Sequence, residues 1–309
     1  MPNRIIEIAD DQRHLSMFRG FMIIETRGKE YKELGRISLD DIGAVIANAH
    51  GLSYTNNLLV SLAERGVPFV LCGANHNVVG LLLSVDGNHQ QAKRFDSQIN
   101  ASKPTKNRIW ADIVKVKLAW QGAALEHAGS TSIPLKALVS KVKSGDSSNI
   151  EAQGARRYWT LLFGDTFRRD KEASGINSML NYGYTVLRAT TARDIVAAGL
   201  HPTLGVHHSN ESNPMRLVDD LMEPFRPVID FKVWQLTKSG LVSLGAEVKR
   251  EIVLTMFVDV QTHTGISPLS VCIQNVATSL AQVYLGESKK LDLPTLFPAL
   301  SEFMAQDEP

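Results

Sequence analysis

The chain has 309 residues, 44% of them hydrophobic and 21% charged, which gives room for one large or two ordinary domains and excludes a molecule dominated by disorder or low complexity. The formal net charge is only +1, yet Lys93 to Lys171 carries 15 basic and 7 acidic residues while Met1 to Ala92 carries 8 and 10; a basic stretch of this kind suits a polyanion such as DNA, or else a set of solvated helix faces. The two cysteines, Cys72 and Cys272, are far apart in apolar surroundings, so neither a disulfide framework nor a cysteine-type zinc site is expected.

The opening residues, MPNRIIEIADDQR, have no long apolar run or cleavage signal, and no stretch reaches the ~18 apolar residues of a membrane span. A cytoplasmic protein with no membrane association is expected. Short β-branched or aromatic runs follow at Arg4 to Ile8, Leu15 to Arg19, Phe21 to Thr26, Glu30 to Ile37 and Gly43 to Ala47, divided by Asp10, Asp11, Gly20, Gly28 and Gly35. They read as strands. Thr55 to Arg65 reads as a helix with Thr55 as N-cap and Gly66 as stop. Pro68 to Leu71 and Val78 to Leu83 read as two further strands joined by a turn over residues 73–77.

After Val85 the composition turns polar, and residues 86–106 read as a linker. Beyond it the periodicity is helical: Ile109, Ile113, Val116 and Trp120 share a face. Further helices are expected over Pro134 to Val142, Asn149 to Phe167, Ile176 to Ala198, Leu217 to Thr237, Gly245 to Phe257 and Pro268 to Leu285. The expected architecture is α+β and multidomain: a small β-rich domain over 1–85, a linker over 86–106, and a larger all-α catalytic domain over 107–309.

Two places could carry chemistry. Glu151 begins the helix NIEAQGARRYWTLLFG and shares a face with Ala155, Tyr158 and Leu162, so its carboxylate needs a cation or donors. A divalent metal would serve; so would a capping box, Ser148-Asn149-Ile150-Glu151, in which Glu151 bonds back to the helix start. The second place, GLHPTLGVHHSNESNPMRLVDDLMEPFRPVID, gathers His201, His207, His208, Asp219, Asp220 and Glu223. Asp220 and Glu223, three apart, repel unless a cation lies between them or one is protonated. The cluster is either a site for Mg²⁺ or Mn²⁺ or an acidic helix paired to Arg216 and Arg226. Pro224 disfavours α conformation at Glu223 and predicts a kink. Phosphate-loop, G-x-S-x-G and H-E-x-x-H motifs are missing from the sequence.

Four segments resemble those of a known family. Gly199-Leu200-His201-Pro202-Thr203-Leu204-Gly205-Val206-His207-His208 resembles a GLxPxLGxxH signature, and Asp220 to Pro227 a DLMEPFRP signature. Glu151 with Ala155 and Arg156 resembles E-x-x-x-A-R, and Asn177 to Tyr184 resembles N-x-x-L-x-Y-G-Y. Their order and spacing match the integrase that inserts new spacers into CRISPR arrays, over nearly the whole chain. The resemblance implies Glu151, His208 and Glu223 as catalytic metal ligands for Mg²⁺ or Mn²⁺, with His207 out of register. Asp220 would support the ligands, His201 stands where Asp is frequent, and Arg156 and Arg226 would be phosphate contacts or ion-pair partners. Glu at position 223 is similar to the branch found beside single-protein RNA-guided nucleases, the type II systems.

The partners implied are double-stranded DNA, as prespacer and as repeat and leader, a second copy through the β domain, and a small ferredoxin-like adaptation protein in a hetero-hexamer. Further type II adaptation proteins and the effector nuclease would join them. Lys103, Lys106, Arg108, Lys115 and Lys117 are candidate contacts to the DNA backbone. The reaction implied is attack of a 3′-hydroxyl on a phosphodiester, with associated endonuclease activity. The alternatives are a plain metal-dependent nuclease for branched DNA, with water as nucleophile, and a non-catalytic DNA-binding scaffold.

Overall fold

The computed structural model describes residues 4–28, 32–73, 78–85, 88–263 and 265–303. The chain divides into two compact units, Met1–His89 and Gln90–Pro309.

The first unit is built from β1 (Arg4–Ile8), β2 (Arg13–Phe18), β3 (Phe21–Thr26), β4 (Glu33–Ser38), β5 (Ile42–Ala47), β6 (Leu52–Tyr54), α1 (Asn56–Glu64), β7 (Phe69–Cys72) and β8 (Val78–Leu82). They form two four-stranded sheets, ordered β1-β5-β7-β8 and β4-β3-β2-β6. The hairpin β2–β3 is antiparallel in register from Arg13↔Thr26 to Phe18↔Phe21, while β1, β5 and β7 run parallel. Every residue of β5 is buried, as a central parallel strand requires. Leu15, Met22, Val45, Leu58 and Leu62 meet in one core. Thr55 caps α1 by accepting from Leu58 N–H at 3.3 Å, and Gly66 leaves the helix at φ 66°, a conformation glycine adopts at no cost. Strand β6 was not expected; three residues, two half-buried and one exposed, carry no alternation long enough to read. Residues 30–31 of the strand expected from Glu30, and residues 74–77 of the expected turn, lie outside those described.

The second unit holds α2 (Gln91–Ile99), α3 (Lys103–His127), α4 (Ile133–Val139), α5 (Ile150–Phe163), α6 (Ile176–Ala197), α7 (Arg216–Met222), α8 (Arg226–Lys238), α9 (Ala246–Leu254) and α10 (Leu269–Tyr284). An antiparallel hairpin, β9 (Asp259–Thr262) with β10 (Gly265–Pro268), interrupts them, so the unit is mostly rather than wholly helical. The 25-residue α3 is the central element. Ser102 caps it by accepting from Thr105 N–H at 3.3 Å, Pro104 sits in its first turn, and Gly129 at φ 72° ends it.

The expected linker over 86–106 is largely helix. Its polar residues belong to α2, which buries Gln98 completely. The Gln98 amide donates to the carbonyls of His201 (3.0 Å) and Leu204 (2.9 Å) and accepts from His201 N–H (2.8 Å); Arg94 donates to Ala198 O at 2.7 Å. The stretch is polar in composition, yet Ala92, Phe95 and Ile99 recur at helical spacing, and the helix pins a loop through its side chains. Glycines permit two close helix approaches: a Cβ on Gly154 would collide with Leu118, and one on Gly183 with Ile229.

Gln98→Leu should remove those three hydrogen bonds while keeping the bulk. Because each buried group left unpaired costs about 1–3 kcal/mol, we expect a loss of about 2 kcal/mol or more in denaturant unfolding, with faster amide exchange at His201. Unchanged stability and exchange would contradict the pinning role.

Candidate active site

Glu151 stands in the first turn of α5, but the capping box does not form. Asn149 precedes the helix at φ 49° with no side-chain cap bond. Asp146 takes the capping role: its two carboxylate oxygens accept from Ile150 N–H and Glu151 N–H, each at 2.9 Å. The preceding Gly145 at φ 68° allows this turn, since a Cβ there would lie 2.9 Å from the Asn107 side chain. The Glu151 carboxylate is thereby released from the helix start, and it pairs with the Lys117 ammonium.

Lys117 comes from the middle of α3 and is 6% exposed. Its ammonium donates to Glu151 and also to Glu223, so one buried cation joins two carboxylates from separate stretches. Lys117 is therefore an internal ion-pair residue and not a surface contact to DNA. Lys103 and Arg108 are exposed, Lys106 and Lys115 are half-buried, and Lys115 lies 3.7 Å from Asp112.

Glu223 is 7% exposed and opens a 3-10 turn, Glu223–Phe225, between α7 and α8. Pro224 thus breaks the helix as expected, although Glu223 itself keeps helical angles of φ −55° and ψ −43°. Its second oxygen lies 2.8 Å from Arg226 Nε; this is an ion pair without hydrogen-bond alignment, since that N–H has no acceptor in line. Arg226 also stacks over the Tyr184 ring, 4.5 Å from its centroid, and the Tyr184 hydroxyl donates to buried Asp230. Burial pushes the Glu223 carboxyl up, but Arg226 and Lys117 outweigh it and hold it at about 2. Arg226 is the ion-pair partner among its two expected roles. Arg156 is exposed on α5, its Nε donating to Ala152 O at 3.3 Å.

His208 lies in the loop before α7. Asp220, wholly buried, accepts from Val206 N–H (2.6 Å), His207 N–H (3.0 Å) and His208 N–H (3.2 Å), and binds His208 Nδ1 at 2.6 Å. A carboxylate only accepts, so Nδ1 carries the proton, and in the neutral imidazole Nε2 keeps its lone pair. The Asp220 hydrogen bond raises the imidazole's pKa, against partial burial. Asp220 and Glu223, close in sequence, avoid repulsion by facing different partners. Gly205 permits the tight loop: a Cβ there would lie 2.8 Å from His208 O and 3.0 Å from Asp220 Oδ2. His201 Nδ1 accepts from Thr203 N–H at 3.2 Å, the bond an Asp side chain makes to the backbone two residues on, which accounts for His at this place. His207 stacks flat on Trp110 at 4.3 Å and 1°.

Glu151 and His208 line one cavity of about 520 Å³ together with Trp110, Asp146, His207 and Asn210. Among the described residues no three His, Cys, Asp or Glu side chains stand close enough together to hold a metal ion. The donor set nevertheless suits a hard divalent cation: two carboxylates already share one positive charge, and an imidazole with a free Nε2 faces the same cavity as Glu151. Sequence reasoning misses the part of Asp146 altogether and places Lys117 on the surface rather than between the two carboxylates. The available signal for Lys117 was its i+4 position from buried Ile113.

The fold and site define a class: a two-unit α+β protein whose helical part lines one open cavity with Glu151 and an oriented His208, with Glu223 joined to Glu151 through Lys117. The model for the CRISPR associated protein Cas1 family matches residues 6–251, and the chain belongs to that family. It is 32% identical to the CRISPR-associated endonuclease Cas1 of Neisseria meningitidis over 289 residues, 92% of this chain and 93% of the relative. It is 27% identical to a CRISPR-associated endonuclease Cas1 of Pyrobaculum aerophilum over 75% of this chain and 82% of the relative. Among solved structures, a casposase bound to integration product superposes with TM-score 0.79 at 20% identity, over 99% of this chain and 94% of that one. A Cas6-RT-Cas1–Cas2 complex gives 0.74 at 20% identity, over 95% of this chain and 36% of the larger one. At these identities the two structures speak to the fold alone.

The depressed Glu223 pKa makes a pH-dependent contribution to stability. A carboxyl held at about 2 in the fold, against an ordinary 4.5, stabilises the fold above 4.5 and loses that contribution as the pH falls toward 2. Unfolding free energies measured between pH 5 and 2 should therefore fall more steeply for the wild type than for Glu223→Gln. Parallel profiles would refute the assignment.

Proposed function

We propose that this protein is a divalent-metal-dependent DNA integrase that inserts short foreign DNA segments into a CRISPR array, with associated endonuclease activity when water replaces the attacking hydroxyl. One observation carries the reading. Glu151 and Glu223 converge on a shared positive charge, and His208, locked by Asp220, lines the same cavity as Glu151.

Glu151, His208 and Glu223 would hold Mg²⁺ or Mn²⁺. When bound, the ion supplies Lewis acidity to a phosphoryl oxygen and favours the alkoxide form of the attacking hydroxyl. The chain's own residues do the rest. Asp220 fixes the tautomer and direction of His208, so its Nε2 lone pair is held without rotational search. Arg226 and Lys117 keep Glu223 ionised. The cavity admits a phosphodiester and a sugar terminus, and in-line placement of the two oxygens accounts for a large part of the rate. In the exchange, the 3′-oxygen forms a new bond to phosphorus as the old phosphorus–oxygen bond of the array strand breaks. The hydroxyl proton ends on the leaving oxygen, and no covalent enzyme intermediate is needed.

The partners proposed are double-stranded DNA, a second copy of the chain and a small ferredoxin-like adaptation protein, with type II adaptation factors and the effector nuclease as further associates. The reading is supported by the family membership, by relatives named endonucleases and by solved neighbours described as a Cas1–Cas2 complex and as a TtCas1–DNA complex at TM-score 0.53. Exposed Lys103, Arg108 and Arg156 are the proposed phosphate contacts, which makes binding salt-sensitive. A cytoplasmic location is proposed; among the described residues no helix is long and apolar enough to cross a membrane.

His208→Ala should abolish strand joining while leaving duplex affinity intact. Asp220→Asn should lower joining about 10–100-fold, the usual loss when a group orienting a ligating histidine is removed. Joining and cutting of one branched substrate, assayed side by side with Mn²⁺, separates the readings. Wild-type joining by His208→Ala refutes the site, and cutting without any joining by the wild-type protein replaces integration with plain nuclease action.

A further inference from the structure

We propose that Lys117 is a positioning residue of this site: an internal cation that holds Glu151 and Glu223 together and that a divalent metal must displace, so that metal uptake is coupled to the arrival of DNA phosphate. This rests on the integrase reading above. The ammonium is bound to both carboxylates from a helix that supplies neither, and its side chain is 8% exposed, so thermal wandering of a surface lysine does not explain the contact.

Formal charges give the consequence. Glu151 and Glu223 face Lys117 and Arg226, and nearby Asp219 is matched by Arg188. The carboxylate pair is therefore already neutralised by two fixed cations. A divalent ion that takes both carboxylates must compete with the Lys117 ammonium for the same oxygens, in a largely buried place where charges are weakly screened. Two events ease that competition. The Lys117 ammonium can withdraw from between the carboxylates, toward the cavity that Glu151 lines, and a phosphodiester can bring negative charge into the same cavity. Both happen together when DNA binds, because a phosphate is a partner for the displaced ammonium. Metal and DNA then each strengthen the other's binding by the same factor, as linkage requires.

The test is a Mn²⁺ titration of the full-length protein, read as loss of the free-ion paramagnetic resonance signal. It is run with and without a saturating duplex whose 3′-ends are dideoxy and cannot react. Wild type, Lys117→Met, Lys117→Gln and Glu151→Gln are compared, the last defining which binding belongs to this site. We expect the duplex to tighten Mn²⁺ binding to the wild type about tenfold or more, equivalent to ~1.4 kcal/mol. The Lys117 variants should bind Mn²⁺ about tenfold tighter than wild type without DNA and gain less from the duplex. A residue that merely props the carboxylates would give the reverse, weaker Mn²⁺ binding on its removal.

Equal or weaker Mn²⁺ binding by folded Lys117→Met and Lys117→Gln, with Glu151-dependent binding intact, overturns the inference and leaves the integrase reading standing. Should neither variant fold, as judged by circular dichroism, the wild-type arm decides: identical Mn²⁺ affinity with and without duplex overturns the inference. No Glu151-dependent Mn²⁺ binding in any of the proteins sinks the metal reading itself.

Discussion

The helical unit of this molecule is organised around one buried positive charge. Placing the Lys117 ammonium inside a helical core costs several kcal/mol of hydration, and it is tolerated only because two carboxylates reach it. Apolar residues of similar volume could fill such a position with equal or greater stability. What the ion pairs provide is a fixed relation between Glu151 on α5 and Glu223 at the α7–α8 junction, two groups 72 residues apart in the chain. The packing of α3 against both is arranged to keep it, and Gly154, with no side chain to hold α5 away from Leu118, is part of that arrangement.

Two of the three candidate groups are relieved of a local structural duty by a neighbour that takes it over. Asp146 caps α5, so Glu151 does not. Asp220 gathers the N–H groups of residues 206–208, so the loop needs nothing from the His208 imidazole but its Nδ1 proton. Gln98 satisfies the loop carbonyls upstream. The result is rigid loop geometry at a position where irregular backbone would otherwise be mobile, and rigidity is what a reaction that depends on in-line placement needs.

Long periodic elements were readable in the sequence and match the structure closely: β1 and β3 to the residue, and α6 to within one. Their hydrophobic spacing is local information. What was not readable was decided by contacts distant in sequence. The polar run at residues 91–99 forms a helix whose Gln98 bonds a loop more than a hundred residues away. Glu151 fits a capping box in sequence, yet Asp146 wins the cap because Gly145 bends the chain to bring both its oxygens to the helix start. Lys117 sits among basic residues and so looked like another DNA contact; only the helix packing shows that its face is inward. Motif resemblance singled out Glu151, His208 and Glu223, but it could not show that a lysine stands between two of them.

The two motifs that frame His208, separated in sequence, are one bonded object in space. Gly205 stands inside the first motif, where a side chain would strike both the His208 carbonyl and the Asp220 carboxylate. Asp220 opens the second, and its two oxygens hold three successive backbone N–H groups of the first and the His208 imidazole. Three residues on, Glu223 opens a 3-10 turn while keeping helical angles itself, so the two acids stay neighbours in the i, i+3 relation. Their partners keep them apart electrostatically: backbone N–H groups and the His208 imidazole face Asp220, while Lys117 and Arg226 face Glu223. One short segment can then serve both sides of the site, one acid orienting the histidine and the other sharing the buried cation.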